Sequence, residues 1–360
     1  MNTTRVGTAL TGRSSWLTAL IHDATQRLRD RSGSVRHAAS DALAALWGHA
    51  RVHWSANVLN KSRVDTLPGA VLSLFLLPDA EDKCRAERAL VTMINGAQSD
   101  VHADDTSPAK KKSKAAVHKQ RVSILLGLLT SLDERGSQAL NIMLRDKRAF
   151  IDEFKTYLSM RKEHANSDVL AKKAAVLAAR LPGSVEKFKA TVDDGKEKMM
   201  RSFETLLDVS SSAKQIAAAR DYLLNGEPDK GKKKRKVSAY VTEIVNKLSM
   251  ELIQQDDVPY LFEALSEVNK ADEGNVLKFL EVLAASFPKF FTSSFDSLTE
   301  LLASDSDEMV DNALRMLTNI GKVISDVEED NLSQMVRYAC LSEIVDYLKE
   351  LATCVVLSCF

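Results

Sequence analysis

Apolar residues recur at i, i+3, i+4 and i+7 through almost the whole chain, which predicts helices that each bury one face. In the segment Ser34 to Trp47, the residues Val35, Ala38, Ala39, Ala42, Leu43 and Leu46 fall on one face, with Arg36, His37 and Asp41 off it. Met309 to Ile320 repeats the pattern, with Val310, Ala313, Leu314 and Leu317 inward and Asp311, Asn312 and Arg315 outward. Polar turns, Asp30 to Ser34 and Ser304 to Asp307, precede both segments as N-caps should. The whole chain reads as about sixteen helices of roughly 10 to 20 residues.

Breaks are predicted at Leu77-Pro78, Leu181-Pro182-Gly183, Asn225-Gly226 and Phe287-Pro288, because proline lacks the helical amide donor and glycine accepts left-handed cap geometry. Two polar stretches interrupt the helices: Gly96 to Val117, and Gly226 to Lys236. They divide the chain into N-terminal repeats (1–95), a basic flexible loop (96–117) and middle repeats (118–225). A second basic loop (226–236), C-terminal repeats (237–353) and an atypical tail (354–360) follow. Similar helices far apart in sequence fit an all-α, HEAT-like α-solenoid, a curved superhelix of antiparallel helix pairs. The same pattern also fits an irregular helical bundle.

Composition agrees with helices. Only 14 glycines and 7 prolines occur in 360 residues, too few for the turns of a β-rich chain. Lys+Arg and Asp+Glu both number 49, yet the balance is uneven along the chain. Glu251 to Phe360 carries 7 basic and 21 acidic residues, while the preceding 250 residues carry 42 and 28. The two ends can therefore face partners of different charge. Cys84, Cys340, Cys354 and Cys359 form no disulfide framework and read as reduced thiols of an intracellular protein. No signal peptide is read at Met1 to Arg13, and the longest apolar run, Ala70 to Leu77, falls short of the ~20 residues a membrane span needs.

Catalytic motifs fail on inspection. Gly226 to Lys233 approaches a phosphate-binding P-loop, but Lys233 stands where a Mg²⁺-holding hydroxyl is required, and the preceding segment reads as helix. His49 and His53 have the spacing of a zinc helix without its glutamate or a third ligand. Cys354 and Cys359 have neither metal-site spacing nor a nearby histidine. No enzyme, cofactor or metal site is expected.

Charge is the stronger signal. Lys230 with Lys232, Lys233, Lys234, Arg235 and Lys236 gives six positive charges in seven residues, closely resembling a monopartite nuclear-localisation signal for importin. A looser cluster, Lys110, Lys111, Lys112, Lys114, Lys119 and Arg121, offers anion or non-specific DNA contact but lacks interleaved aromatics for base stacking. Of Trp16, Trp47 and Trp54, Trp47 ends an apolar face and reads as core. Trp54 is the candidate for an exposed peptide anchor.

Several ordered segments resemble the precocious-dissociation-of-sisters family of HEAT-repeat cohesin regulators. They are Arg27 to Arg31 with Val35-Arg36 and Ala38 to Leu46, and Ser131-Leu132-Asp133 with Gln138 to Met143. Next come Ala179-Arg180-Leu181-Pro182, and Leu206-Leu207 leading to Ser212 to Gln215. Leu280 to Leu283 through Phe287-Pro288 to Phe291, and Asp307 to Ile324, complete the series. The likeness spans roughly Trp16 to Asp330.

The resemblance implies a non-enzymatic, nuclear, chromatin-associated scaffold for sister chromatid cohesion in mitosis and DNA repair. It would dock on the kleisin subunit of cohesin and help recruit the wings-apart-like releasing factor and the cohesin acetyltransferase. Family proteins are much longer, so the repeats that dock the releasing factor are expected outside this chain. The family's kleisin-contact region is tyrosine-rich, whereas Trp54 to Pro78 has no tyrosine; Trp54, Lys61, Arg63 and Phe75 are the candidates for that surface. Some members bind inositol hexakisphosphate in a basic pocket, a site the resemblance does not place on residues here. Cys354 to Phe360 resembles nothing in the family. The rival reading is a generic nuclear HEAT-repeat adaptor of the nuclear-transport type, taking basic cargo on its acidic Asp305 to Asp330 region.

Overall fold

The computed structural model describes residues 4–53, 63–99, 114–163, 166–192, 197–208, 211, 213–226, 239–249, 252–265, 270–291 and 294–326. Fifteen α-helices and four short 3-10 turns, and no strand, occur among the described residues. The helices are α1 (Thr4–Arg27), α2 (Gly33–His53), α3 (Leu67–Leu72), α4 (Ala80–Ser99), α5 (Lys114–Thr130) and α6 (Glu134–Lys162). Next are α7 (Ser167–Ala178), α8 (Val185–Val192), α9 (Glu197–Leu207), α10 (Ala213–Asn225) and α11 (Ala239–Leu248). The series ends with α12 (Val258–Leu265), α13 (Lys270–Ser286), α14 (Phe295–Leu302) and α15 (Asp307–Asp326). None of the described helices is long and apolar enough to cross a membrane.

Local chemistry sets the boundaries. The Asp133 carboxylate accepts the Gly136 amide at 2.7 Å to start α6, and Asn166 accepts the Asp168 amide at 2.8 Å to start α7. Pro68 sits in the first turn of α3, where its missing donor costs nothing. Gly226, at φ 75°, ends α10 in the left-handed region, its amide bonded to the Tyr222 carbonyl at 2.8 Å. The predicted breaks at Pro78, Pro182, Gly226 and Pro288 all fall between elements or in a 3-10 turn. The 96–117 loop is shorter than expected, since α4 runs to Ser99 and α5 begins at Lys114.

The fold is an all-α solenoid. α1 packs on α2, α2 on α4, and α4 on α5; α5 meets α12 and α13, and α13 with α14 meets α15. The array is not a simple succession of hairpins. α6, at 29 residues about 43 Å long, touches α3, α7, α9, α11 and α13. From it α7 to α10 depart as a side lobe, and α11 returns the chain to α4 and α6. An aromatic cluster fixes the lobe to α6. Phe154 makes edge contacts with Phe188 (6.2 Å) and Phe203 (5.5 Å), and Tyr157 meets Phe188 at 5.5 Å. Such pairs contribute roughly 0.5–1.5 kcal/mol each beyond burial of their area.

The face of α2 is rotated from the expected one. Ala38 and Ala42 are exposed, while His37, Ser40, Ala44 and Trp47 are buried. The cause is an acid on the neighbouring helix. Asp82 of α4, almost wholly buried, receives Arg36 Nε at 2.9 Å and Nη2 at 2.8 Å, with His37 Nε2 at 3.3 Å. A buried carboxylate needs such partners, so α2 turns its Arg36–His37 edge inward. On α15 the expected face holds at Ala313 and Leu317, with Met316 and Ile320 completing it and Asn312 buried beside them.

Candidate functional site

A cleft of about 720 Å³ opens where the first turns of α4, the α7–α8 turn and α11 converge. Its wall carries both charges: Asp79, Glu81 and Glu243, with Arg85, Arg88 and Lys187. Tyr240 and Gly183 complete it on the lobe side. Arg85 Nη1 reaches Asp41 of α2 at 3.0 Å, and Arg88 Nη1 reaches Glu243 at 2.8 Å. Lys187 lies over the Tyr240 ring, its Nζ 5.1 Å from the centroid.

Close backbone approach shapes this corner. A Cβ on Gly183 would stand 2.7 Å from Tyr240 Cε2, so only glycine lets the α7–α8 turn lie against the ring. Burial pushes the Tyr240 phenol up to about 12. Burial also raises the Glu243 carboxyl above its ordinary value, against the opposing pull of Arg88.

Behind the Arg88–Glu243 pair lies a smaller cavity of about 240 Å³, lined by Arg88, Glu87, Lys147, Met143 and Leu252 among others. It is built on a buried ionic knot. Glu87 accepts from Lys147 at 3.3 Å and from Lys247 at shorter range; Lys247 also reaches Asp146 Oδ2 at 3.1 Å. Lys147 donates to the Asn246 carbonyl at 2.7 Å. The knot thereby ties α4, α6 and α11, the helices behind the cleft. Burial works to raise the Glu87 pKa, but the two ammonium groups outweigh it and hold the carboxyl below its usual range. Burial dominates at Lys147, whose pKa falls, whereas at Lys247 the carboxylates, Glu87 above all, override burial and raise it. Cys84, beside this knot, is buried and its thiol is pushed up to about 12, so it is held as an inert thiol.

The candidates from the sequence fall unevenly. Trp54, Lys61, Lys110, Lys111, Lys112 and Lys232 to Lys236 lie outside the described residues. Arg63 is exposed, at φ 59°, before the 3-10 turn Val64–Thr66 and upstream of the cleft. Phe75 is a correction: it is 1% exposed, packed in the core beneath Lys83 and Lys247, and so presents nothing to a partner.

The second basic cluster is also corrected in part. Lys114 opens α5, and Lys119 is exposed but bridges to Glu263 at 2.6 Å. Arg121 is buried, its Nε 3.1 Å from Asp257 and its Nη1 3.3 Å from Asn95, so it braces α5 against the 3-10 turn before α12 and against α4 rather than reaching for phosphate. His118 shares that acid, with Nδ1 2.7 Å from Asp257 Oδ1. The His49 and His53 rings meet at a tilt, their centroids 4.4 Å apart. Among the described residues no three His, Cys, Asp or Glu side chains converge as a metal site.

Arg85, Arg88, Glu243 and the Glu87 knot were not singled out from the sequence. The signal was present at Lys147, a charge set between Met143-Leu144 and Phe150-Ile151 on one helical stripe. The cleft does not fit inositol hexakisphosphate. Three carboxylates line the same space as its cations, and both arginines already hold acids.

A sequence model of the family described as "Sister chromatid cohesion protein PDS5 protein" matches residues 9–353. No curated protein matches the chain. Among solved structures, an engineered protein from the Northeast Structural Genomics Consortium is 12% identical, with 84% of this chain and 98% of that one covered at a TM-score of 0.18. A designed armadillo repeat protein is 11% identical, with 83% and 98% covered at a TM-score of 0.17.

Proposed function

As the chain belongs to the PDS5 family of sister chromatid cohesion proteins, we propose that it serves as a non-catalytic scaffold which docks the kleisin subunit of cohesin. The docking surface is placed on the mixed-charge cleft at Asp79, Glu81, Arg85 and Arg88, with Arg63 as a separate contact upstream of it in sequence. The observation that carries this reading is continuity in sequence: the segment at the place of the family's kleisin-contact region, Trp54 to Pro78, though without that region's tyrosines, runs into Asp79, the first residue of the cleft wall. A wall with both charges and an apolar floor suits an extended peptide more than a small ion.

Binding energy then does the work. A kleisin segment held here would be kept near the other cohesin regulators, and the wings-apart-like releasing factor and the acetyltransferase would be brought to the same ring. The basic run Lys232 to Lys236 would supply importin binding and nuclear entry to chromatin. Reversing charge at Arg85 and Arg88 tests the docking face. The double variant R85E/R88E should lose kleisin in a pull-down while keeping its helical circular-dichroism spectrum. Undiminished capture by a folded double variant would remove the cleft from the docking surface.

A further inference from the structure

The outer face of α7 carries a ridge that a solvated role does not explain. Helix α7 turns Ala174, Leu177 and Ala178 inward, all but fully buried. On the opposite side Val169, Lys172, Val176 and Ala179 follow at i, i+3, i+7 and i+10, within an arc of about 80° at 3.6 residues per turn. Val169 is 43% exposed and Val176 46%, and Ala179, the C-cap residue, is exposed beside them. Valine is a weaker helix former than alanine or lysine and gains nothing from water. Two valines on one outward line therefore mark a contact face.

Two further observations say what covers the ridge. It is continuous with the cleft, since Ala179 also lines the cleft wall, next to Leu181, Pro182 and Gly183. It is also basic: Lys172 lies between the valines and Lys173 beside them, and among the described residues neither is paired with an acid. Asp168, the one acid of α7, stands in its first turn, where the helix end favours a carboxylate. The ridge thus differs from the cleft, whose arginines already hold Asp41 and Glu243.

We infer that the outer face of α7 binds an acidic amphipathic helix, formed by the stretch of the docked partner that leaves the cleft past Ala179. The inference rests on the docking proposal and adds the chemistry of the partner's next segment. Val169 and Val176 stand about 10.5 Å apart along the axis, seven residues of helical rise. Same-side residues of an extended strand recur every ~7 Å and miss that spacing, whereas a partner helix with apolar residues seven apart matches it. The turns between those apolar residues leave room for two carboxylates opposite Lys172 and Lys173.

The test reads the two valines directly. The full chain, carbon-13 labelled on its valine methyls, is titrated with a blocked alanine-based helix of about 18 residues, carrying two leucines seven positions apart with two glutamates between them. A second peptide has lysines in place of the glutamates. The glutamate peptide should move the Val169 and Val176 methyls saturably, and the lysine peptide should not. K172E/K173E should weaken that titration about three- to tenfold and leave the helical circular-dichroism spectrum unchanged, because neither lysine braces the fold. Equal shifts from both peptides, no shift at either valine, or an unchanged titration in K172E/K173E would overturn the inference. So would valine shifts that follow protein concentration alone, which would assign the face to a second copy of the chain. Kleisin capture is scored separately: capture without the peptide response rejects the ridge alone, and a peptide response without capture rejects the docking proposal alone.

Discussion

Gly127 of α5 lies directly beneath the guanidinium of Arg51 of α2: a Cβ built on Gly127 would stand 1.8 Å from Arg51 Nη2. Arg51 lies 5.6 Å over the Trp47 ring and reaches Asp65 at 3.2 Å, so it links the end of α2 to the turn that carries Arg63. Alanine at Gly127 therefore displaces a flexible side-chain end rather than backbone. The helix gains propensity, up to about 1 kcal/mol, and loses a half-exposed bridge worth about the same or less. The expected outcome for G127A is a near-unchanged urea midpoint with faster amide exchange at 64–66. A large fall in the midpoint would show that Arg51 has no alternative position.

Arg63 itself occupies the left-handed region, at φ 59°, without being glycine. That conformation costs an ordinary residue roughly 1–2 kcal/mol, part of which glycine returns through its looser unfolded state. R63G should raise stability by about 0.5–1 kcal/mol while weakening kleisin capture, a divergence that a purely structural arginine would not produce. Denaturant unfolding and pull-down on the same sample check both halves.

Glu87 gives the chain an acid-sensitive joint. Its folded pKa lies below the ordinary value of 4.5, so its contribution is fully present above that value and is lost as pH falls through the folded one. E87Q leaves two buried ammonium groups short of their counter-charge and should cost about 3–5 kcal/mol at neutral pH. Once pH has fallen through the lowered folded pKa the wild-type residue is protonated too, and the two stability curves should converge. Curves that stay parallel from pH 7 down to acid unfolding of the wild type would place the acid sensitivity elsewhere.

Gly183 is the steric counterpart. G183A puts a methyl 2.7 Å from the Tyr240 ring, and the repacking should cost about 1–3 kcal/mol, read as a lower urea midpoint. G226A, at φ 75° on a half-buried helix end that does not line the cleft, strains the backbone there and should leave the packing around Tyr240 in place.

Helix content and most breaks were legible from period and punctuation, because Pro182, Gly226 and Pro288 act locally. The α2 face was not, because Asp82 lies 46 residues from Arg36 and its burial outweighs the alanine pattern. The same holds for Arg121, which looked like a phosphate contact among lysines until Asp257, 136 residues away, met it in the interior. Phe75 was misjudged for the opposite reason: an aromatic in a candidate surface segment still goes to the core when the turn containing it packs on α6. The side lobe and the cleft depend on α11 returning to α4, a long-range pairing that no local pattern announces.

The most direct measurement is a calorimetric titration of the full chain with the cohesin kleisin, run beside R85E/R88E and a control reversal at Asp305, which lies between α14 and α15. Saturable binding that the cleft variant abolishes and the control retains is the predicted result. No heat of binding from well-folded protein, or binding that R85E/R88E leaves intact while the Asp305 reversal removes it, would contradict a kleisin scaffold built on this cleft.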